Sequence, residues 1–262
     1  MKLAISNIAW PAEKDRAIYK QMQSMEFRGL EIAPTRLFPE KPYDKIKDAK
    51  VFSKFLQEEY GLSVCSMQSI WYGRTENIFG TEQERQILID YTKRAIDFAV
   101  AVGCSNLVFG CPRNRNFFDD ADKDKGVAFF QIIGDYAATC GTVIGMEANP
   151  PIYGTNYVNN TTSAIQLVHD VGSRGFRLNL DVGTMIYNAE PVRELINSTA
   201  LINHVHISEP ELKVIQARSL HYELNCLLKK IDYPGYVSIE MGRVKDVSTI
   251  IDVMKYLKIQ FD

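Results

Sequence analysis

The sequence predicts an α/β fold, a (β/α)8 TIM barrel built as one domain over residues 1–262. Three observations carry this expectation. Eight short apolar runs alternate with longer segments of helical period within 262 residues, about the length at which eight strand–helix units close into a barrel. Apolar residues make up 46% of the chain and charged residues 24%, an ordinary composition able to bury a large core. No G-x-G-x-x-G and no P-loop follows an early apolar run, so the competing doubly wound sheet lacks its phosphate-binding fingerprint.

The candidate strands are KLAISNIA (2–9), GLEIAP (29–34), LSVCSMQS (62–69) and NLVFGCP (106–112), then VIGMEANP (143–150), FRLNLDVG (176–183), INHVHISE (202–209) and YVSIEMG (236–242). Strong β formers dominate several of them, and Gly, Pro or Asn often closes them. Between them, residues 82–103 place Ile87, Leu88, Tyr91, Ile96, Phe98 and Ala99 near i, i+3, i+4 spacing and end at Gly103. That is an amphipathic helix with a glycine stop. Residues 125–141 and 221–231 read similarly. TTSAIQLVHDVG (161–172) starts at Thr and ends at Gly, the residue types of an N-cap and a C-cap.

The net charge is -2, with no run of Lys and Arg. Nothing in that balance draws the chain to nucleic acid or to an anionic membrane. No stretch approaches the ~18 apolar residues of a membrane span, and the apolar part of MKLAISNIAWP is short for a secretory signal. The five cysteines (65, 104, 111, 140 and 226) form no CxxC pair. They are expected to be free thiols in a reducing compartment, consistent with a cytoplasmic protein.

The last four strands share a feature at their C-terminal ends. They offer Glu147 in GMEANP, Asp181 in LNLDVG, His206 in HVHIS and Glu240 in SIEMG. Buried carboxylates are costly unless paired or bound to a metal. A salt bridge or a packed core accounts for any one of these residues alone; four on consecutive strands form a pattern. Barrel active sites lie at the C-terminal face, where neighbouring strands would bring the four together. Three carboxylates and one imidazole suit one divalent ion (Mn, Mg, Co or Zn), with Mn or Mg favoured over a structural zinc. His204 shares the strand face of His206 but lies one pleat deeper, as a supporting or core residue.

The chain resembles the xylose isomerase-like TIM barrel superfamily, the sugar phosphate isomerase/epimerase group. The carriers are GLEI (29–32), VFGCPRNR (108–115), GMEANP (145–150), LNLDVGTM (178–185), HVHISEP (204–210) and GYVSIEMG (235–242). The resemblance covers essentially the whole chain. It implies that Glu147, Asp181, His206 and Glu240 bind one divalent metal, Mn favoured, and that Glu147 and Glu240 are also the catalytic acid/base pair. The ketose 3-epimerases of this group usually place a His three residues after the Asp and an Arg soon after the metal His. Here Thr184 and Leu212 stand there, which leaves the metal set complete and the ketohexose substrate open.

The function so implied is a divalent-metal-dependent sugar or sugar-phosphate isomerase or epimerase. A metal chelating a carbonyl and a neighbouring hydroxyl would acidify the adjacent C–H and stabilise an enediolate, while carboxylates remove and return the proton. The alternatives are a polyol-ketone (inosose-type) dehydratase and a non-catalytic sugar-binding barrel. Four histidines and the net charge of -2 count against an apurinic nuclease. The expected partner is a small-molecule sugar or sugar phosphate, with homo-oligomers compatible with the group.

Further substrate-binding candidates are Trp10, Glu31, Gln68, Trp71, Arg113, Arg115, Asn149, Glu209 and His221. The two arginines, after the fourth strand, suit a phosphate or carboxylate, or a solvated loop. Glu31 suits a substrate hydroxyl or a buried pair. Trp10, Trp71 and Tyr72 follow strands one and three, where they would wall a sugar or pack the loops. Asn149 and Ser208 would orient the metal ligands, and Glu209 would meet substrate hydroxyls or an arginine. His221 stands near a helix start, His169 on a helix surface, and Tyr153 and Tyr157 on a loop that would cover the pocket or the rim.

Overall fold

The computed structural model describes residues 1–117, 119 and 122–261. Eight parallel strands close into a barrel in sequence order, β1 pairing with β8. They are β1 (Lys2–Ser6), β2 (Gly29–Ile32), β3 (Ser63–Met67), β4 (Leu107–Phe109), β5 (Ile144–Glu147), β6 (Phe176–Asp181), β7 (Ile202–Ile207) and β8 (Tyr236–Ile239). All eight candidate strands are present, and each is shorter than its apolar run. The residues trimmed from their C-terminal ends form turns, and Glu240 stands in one of them. After β1, for example, Asn7–Ala9 is a 3-10 turn.

Helices ring the barrel. Glu82–Ala101 opens on a full capping box between Thr81 and Glu84, which satisfies backbone N–H groups that the first turn leaves free. Lys123–Cys140 ends at Gly141 with φ 76°, a left-handed turn that glycine takes without a Cβ clash. Thr161–Val171 is capped by Asn160, whose side chain accepts from the Ser163 N–H at 2.8 Å; the expected cap at Thr161 is displaced by one residue. Ser219–Lys230 precedes β8. Helices Asp15–Ser24, Ile46–Tyr60 and Val247–Phe261 complete the outer layer. Among the described residues no helix is long and apolar enough to cross a membrane.

The apolar core lies mainly between the strands and this helical layer, with Phe109, Phe129, Phe130 and Phe176 fully buried. Several polar side chains are buried along the strands instead. Asn106 Nδ2 donates to Ser66 Oγ at 3.0 Å and to Asn179 Oδ1 at 3.3 Å. Such a network is tolerated because its members satisfy one another. It leads, through Asn179, to the C-terminal end of the barrel.

Candidate metal centre

Glu147 is the last residue of β5 and Asp181 the last of β6. His206 lies in β7, in register with Asp181, and Glu240 follows β8 directly. Each offers one ligand atom, and the four atoms lie within 4.8 Å of one another. His206 is fully buried and the three carboxylates are 7–9% exposed. The strand ends therefore bring together the four residues whose positions the sequence singled out.

His206 is held from both sides. Its Nδ1 lies 2.9 Å from Glu147 Oε1 and 3.2 Å from Glu240 Oε2. Its Nε2 lies 2.8 Å from Glu31 Oε2. A carboxylate behind the imidazole fixes ring orientation and raises its basicity as a ligand. His204 Nε2 stands 3.3 Å from the same Glu31 oxygen without hydrogen-bond alignment. Its ring packs edge-on against His206, centroids 5.2 Å apart, so His204 is the deeper of the pair.

The carboxylates have their own supports. Glu147 accepts from Asn179 Nδ2 at 2.9 Å and from Asn149 Nδ2 at 3.2 Å. A Cβ at Gly110 would stand 2.9 Å from Glu147 Oε2, so a larger residue there would push this carboxylate from its present position. Asp181 accepts from Thr184 N at 2.7 Å, from Thr184 Oγ1 at 2.8 Å and from the Ser208 hydroxyl. It thereby caps the short helix Val182–Asn188. Glu240 accepts from Gln68 Nε2 at 3.0 Å, and the same amide reaches Ser6 Oγ at 2.9 Å.

Three buried carboxylates crowd one imidazole, and protonation follows. Burial, then the charge of Glu147, pushes Asp181 up to about 6, against the pull of His206, Ser208 and Thr184. Burial also raises Glu240 to about 7, with Glu147 adding to the push and His206 opposing it. Burial would depress His206, but Glu31, Glu240 and Glu147 outweigh it and hold the imidazole well above its ordinary value. Burial would raise Glu31, yet His206 and His204 bring it below the usual carboxylate range. Among the described residues no Lys or Arg ion-pairs with Glu147, Asp181 or Glu240, and the positive charge they face is that of His206. Carboxylates gathered without a fixed cation are a donor set that a divalent ion fits.

A cavity of about 160 Å³ opens onto this cluster. Gln68, Asn149, Ser208 and Glu209 line it beside the three carboxylates, with Tyr153 and Leu212 closing the rim. Glu209 is held by Arg218 Nε at 2.7 Å. Tyr153 reaches the rim as expected, its hydroxyl accepting from the Glu211 N–H at 2.7 Å, whereas Tyr157 packs against Phe79 and Phe117. Leu212 has φ 54°, and its carbonyl accepts from the Gly242 N–H at 2.7 Å.

Several expected substrate contacts lie elsewhere. Trp10 is fully buried, its indole N–H donating to Asp15 at 2.8 Å, because the 3-10 turn after β1 carries it into the core. Arg115 is also fully buried and supports β5 instead of meeting an anion. It donates to the Glu147 carbonyl at 3.0 Å and to Asn149 Oδ1 at 2.6 Å. His221 is buried with Nδ1 2.8 Å from the Tyr256 hydroxyl, and burial brings it down to about 4. Glu31 stands behind His206, outside the cavity lining. Trp71 is anchored to Thr92 Oγ1 at 2.9 Å and borders, with exposed Arg113, a second cavity. His169 is exposed on its helix.

Asn179 and Ser6 support the site and were not anticipated. Asn179 sits two residues before Asp181, on the same strand face, which is the signal that would have found it. Ser6 ends β1 in an apolar run and offers no such signal.

The family model described as xylose isomerase-like TIM barrel matches residues 19–259, and the chain belongs to that family. Its structural neighbours include sugar epimerases. The 3-keto-D-glucoside 4-epimerase of E. coli is 20% identical, covers 99% of each chain and gives a TM-score of 0.78. A D-psicose 3-epimerase is 17% identical, covering 99% of this chain and 96% of its own, with a TM-score of 0.78. An AP endonuclease, family 2, from Brucella melitensis is 18% identical, covering 98% and 99%, with a TM-score of 0.74. At these identities the likeness is one of fold. An uncharacterized protein of Methanocaldococcus jannaschii is 28% identical over 146 residues, 52% of this chain, and the match spans half of that relative's length.

Proposed function

We propose that the chain is a divalent-metal-dependent sugar isomerase or epimerase, with Glu147 and Glu240 as the acid/base pair. The observation that carries this reading is the convergence of Glu147, Asp181, His206 and Glu240 within 4.8 Å. The sugar epimerases among the structural neighbours support it. A three-carboxylate, one-imidazole set favours Mn²⁺ among the divalent ions. When bound, the ion supplies Lewis acidity to a carbonyl and its neighbouring hydroxyl.

The protein's own groups then do the following. Asp181 and His206 would hold the ion together with Glu147 and Glu240, and take no part in proton transfer. Glu31 fixes the His206 ring from behind. Glu147 and Glu240 project into the cavity from β5 and from the end of β8, with β6 and β7 between them. A carbon held in the cavity meets a carboxylate on either side. One removes the proton beside the carbonyl and the other delivers a proton to the opposite face, which inverts the centre. Delivery to the neighbouring carbon would give isomerisation by the same groups. Asn179 and Asn149 aim Glu147, and Gln68 aims Glu240.

The test is α-proton exchange with D₂O on a panel of ketoses and aldoses, with Mn²⁺ supplied. Glu240→Gln keeps the fold and loses exchange by a factor on the order of 10²–10⁴. Unchanged exchange in that variant would remove Glu240 from the acid/base role.

A further inference from the structure

We infer that the substrate has a second unit, a glycosidically linked sugar, seated in the cavity beside the metal pocket; this rests on the reading above. The first cavity, about 160 Å³, falls below the ~300–1,000 Å³ of ordinary small-molecule pockets. It accommodates the reacting part of one sugar. A second cavity of about 580 Å³ adjoins it. The two share Ser69, Cys111 and Pro112 as lining, which places them side by side at that edge.

The second cavity is fixed in shape. Asn114 Nδ2 donates to the carbonyls of Arg74 at 3.1 Å and Glu76 at 2.8 Å. This ties the loop after β3 to the loop after β4. Its chemistry is opposite to that of the first. Glu147, Asp181, Glu209 and Glu240 line the metal pocket, which has no Lys or Arg in its lining. Among the described residues no carboxylate lines the second cavity.

Two side chains there have no structural task. Tyr72 is 72% exposed, an aromatic face left open at the cavity wall. Arg113 is exposed and makes no hydrogen bond or ion pair among the described residues. Arg74, by contrast, is neutralised by Glu76. An open aromatic face stacks the apolar side of a pyranose ring, and a free guanidinium fork donates to its hydroxyls. A lone phosphate would fill little of this volume and would meet one unpaired arginine.

The test compares D-fructose, D-fructose 6-phosphate and three glucosyl-fructose disaccharides of different linkage (turanose, maltulose and isomaltulose). Each is titrated calorimetrically into Mn²⁺-loaded protein, wild type, Tyr72→Ala and Arg113→Ala. At least one disaccharide is expected to bind about tenfold tighter than D-fructose. Tyr72→Ala is expected to bring it down to the affinity of D-fructose, and Arg113→Ala to weaken it. The proposal is overturned if no disaccharide binds tighter than D-fructose, or if the phosphate alone gains affinity. α-Proton exchange in D₂O on the same samples separates the two ideas. Disaccharide preference without exchange contradicts the reaction reading alone; exchange without preference contradicts the second subsite alone.

Discussion

Glu31 Oε2 stands 2.8 Å from His206 Nε2, on the side of the ring opposite Glu147 and Glu240. The imidazole is thus held between a rear carboxylate and the ligand cluster. Both groups are fully buried, so water cannot take the place of either partner.

That relationship predicts the behaviour of Glu31→Gln. The amide keeps the volume and loses the charge behind the ring. Mn²⁺ affinity is expected to fall by roughly 10–100-fold, with the far-UV spectrum unchanged. Calorimetric titration of Mn²⁺ reads it. An affinity equal to wild type would mean that Glu31 is only a packed core pair.

The raised protonation of the cluster predicts a pH dependence. Asp181, pushed up to about 6, and Glu240, up to about 7, bind protons more tightly folded than unfolded. Their contribution to stability is therefore present at low pH and lost as pH rises through those values. A divalent ion must displace the same protons, and the one on His206, so its affinity rises with pH over that range. The Tm of chelator-treated protein should fall relative to that of Mn²⁺-saturated protein between about pH 5 and about pH 8. A Tm difference that does not vary with pH would contradict these protonation states.

Arg115 predicts a stability effect where a substrate-binding arginine would give a binding one. Its guanidinium joins the Glu147 carbonyl to Asn149 inside the protein. Arg115→Ala leaves those acceptors buried without a donor, and should cost about 2–4 kcal/mol of unfolding free energy. Denaturant melts measure it. A wild-type melt with only a raised KM would instead place Arg115 in the substrate site.

Much of the barrel and of the candidate site was legible in the sequence. Glu147, Asp181, His206 and Glu240 each close an apolar run, and strand periodicity with glycine and proline stops fixes where such runs end. Arg115 was not legible. CPRNRN reads as an anion-binding or solvated loop, yet the 3-10 turn Pro112–Asn114, entered through Cys111 at φ 40°, precedes an arginine that is fully buried. A turn of that kind depends on what packs beneath it, which local composition does not record. The same holds for Trp10, and for Asn106, whose bond to Asn179 joins residues far apart in the chain. The outer helices Ile46–Tyr60 and Val247–Phe261 also carry buried faces, and the sequence analysis did not single them out.

In the proposed function the ends of β5 to β8 hold one divalent ion. Metal content of the purified protein, reconstituted with Mn²⁺, tests it most directly when set beside a Glu147→Ala/His206→Ala double variant. About one ion per chain is expected in the wild type and none in the double variant. No bound ion in the wild type, or the same content in both proteins, would contradict it.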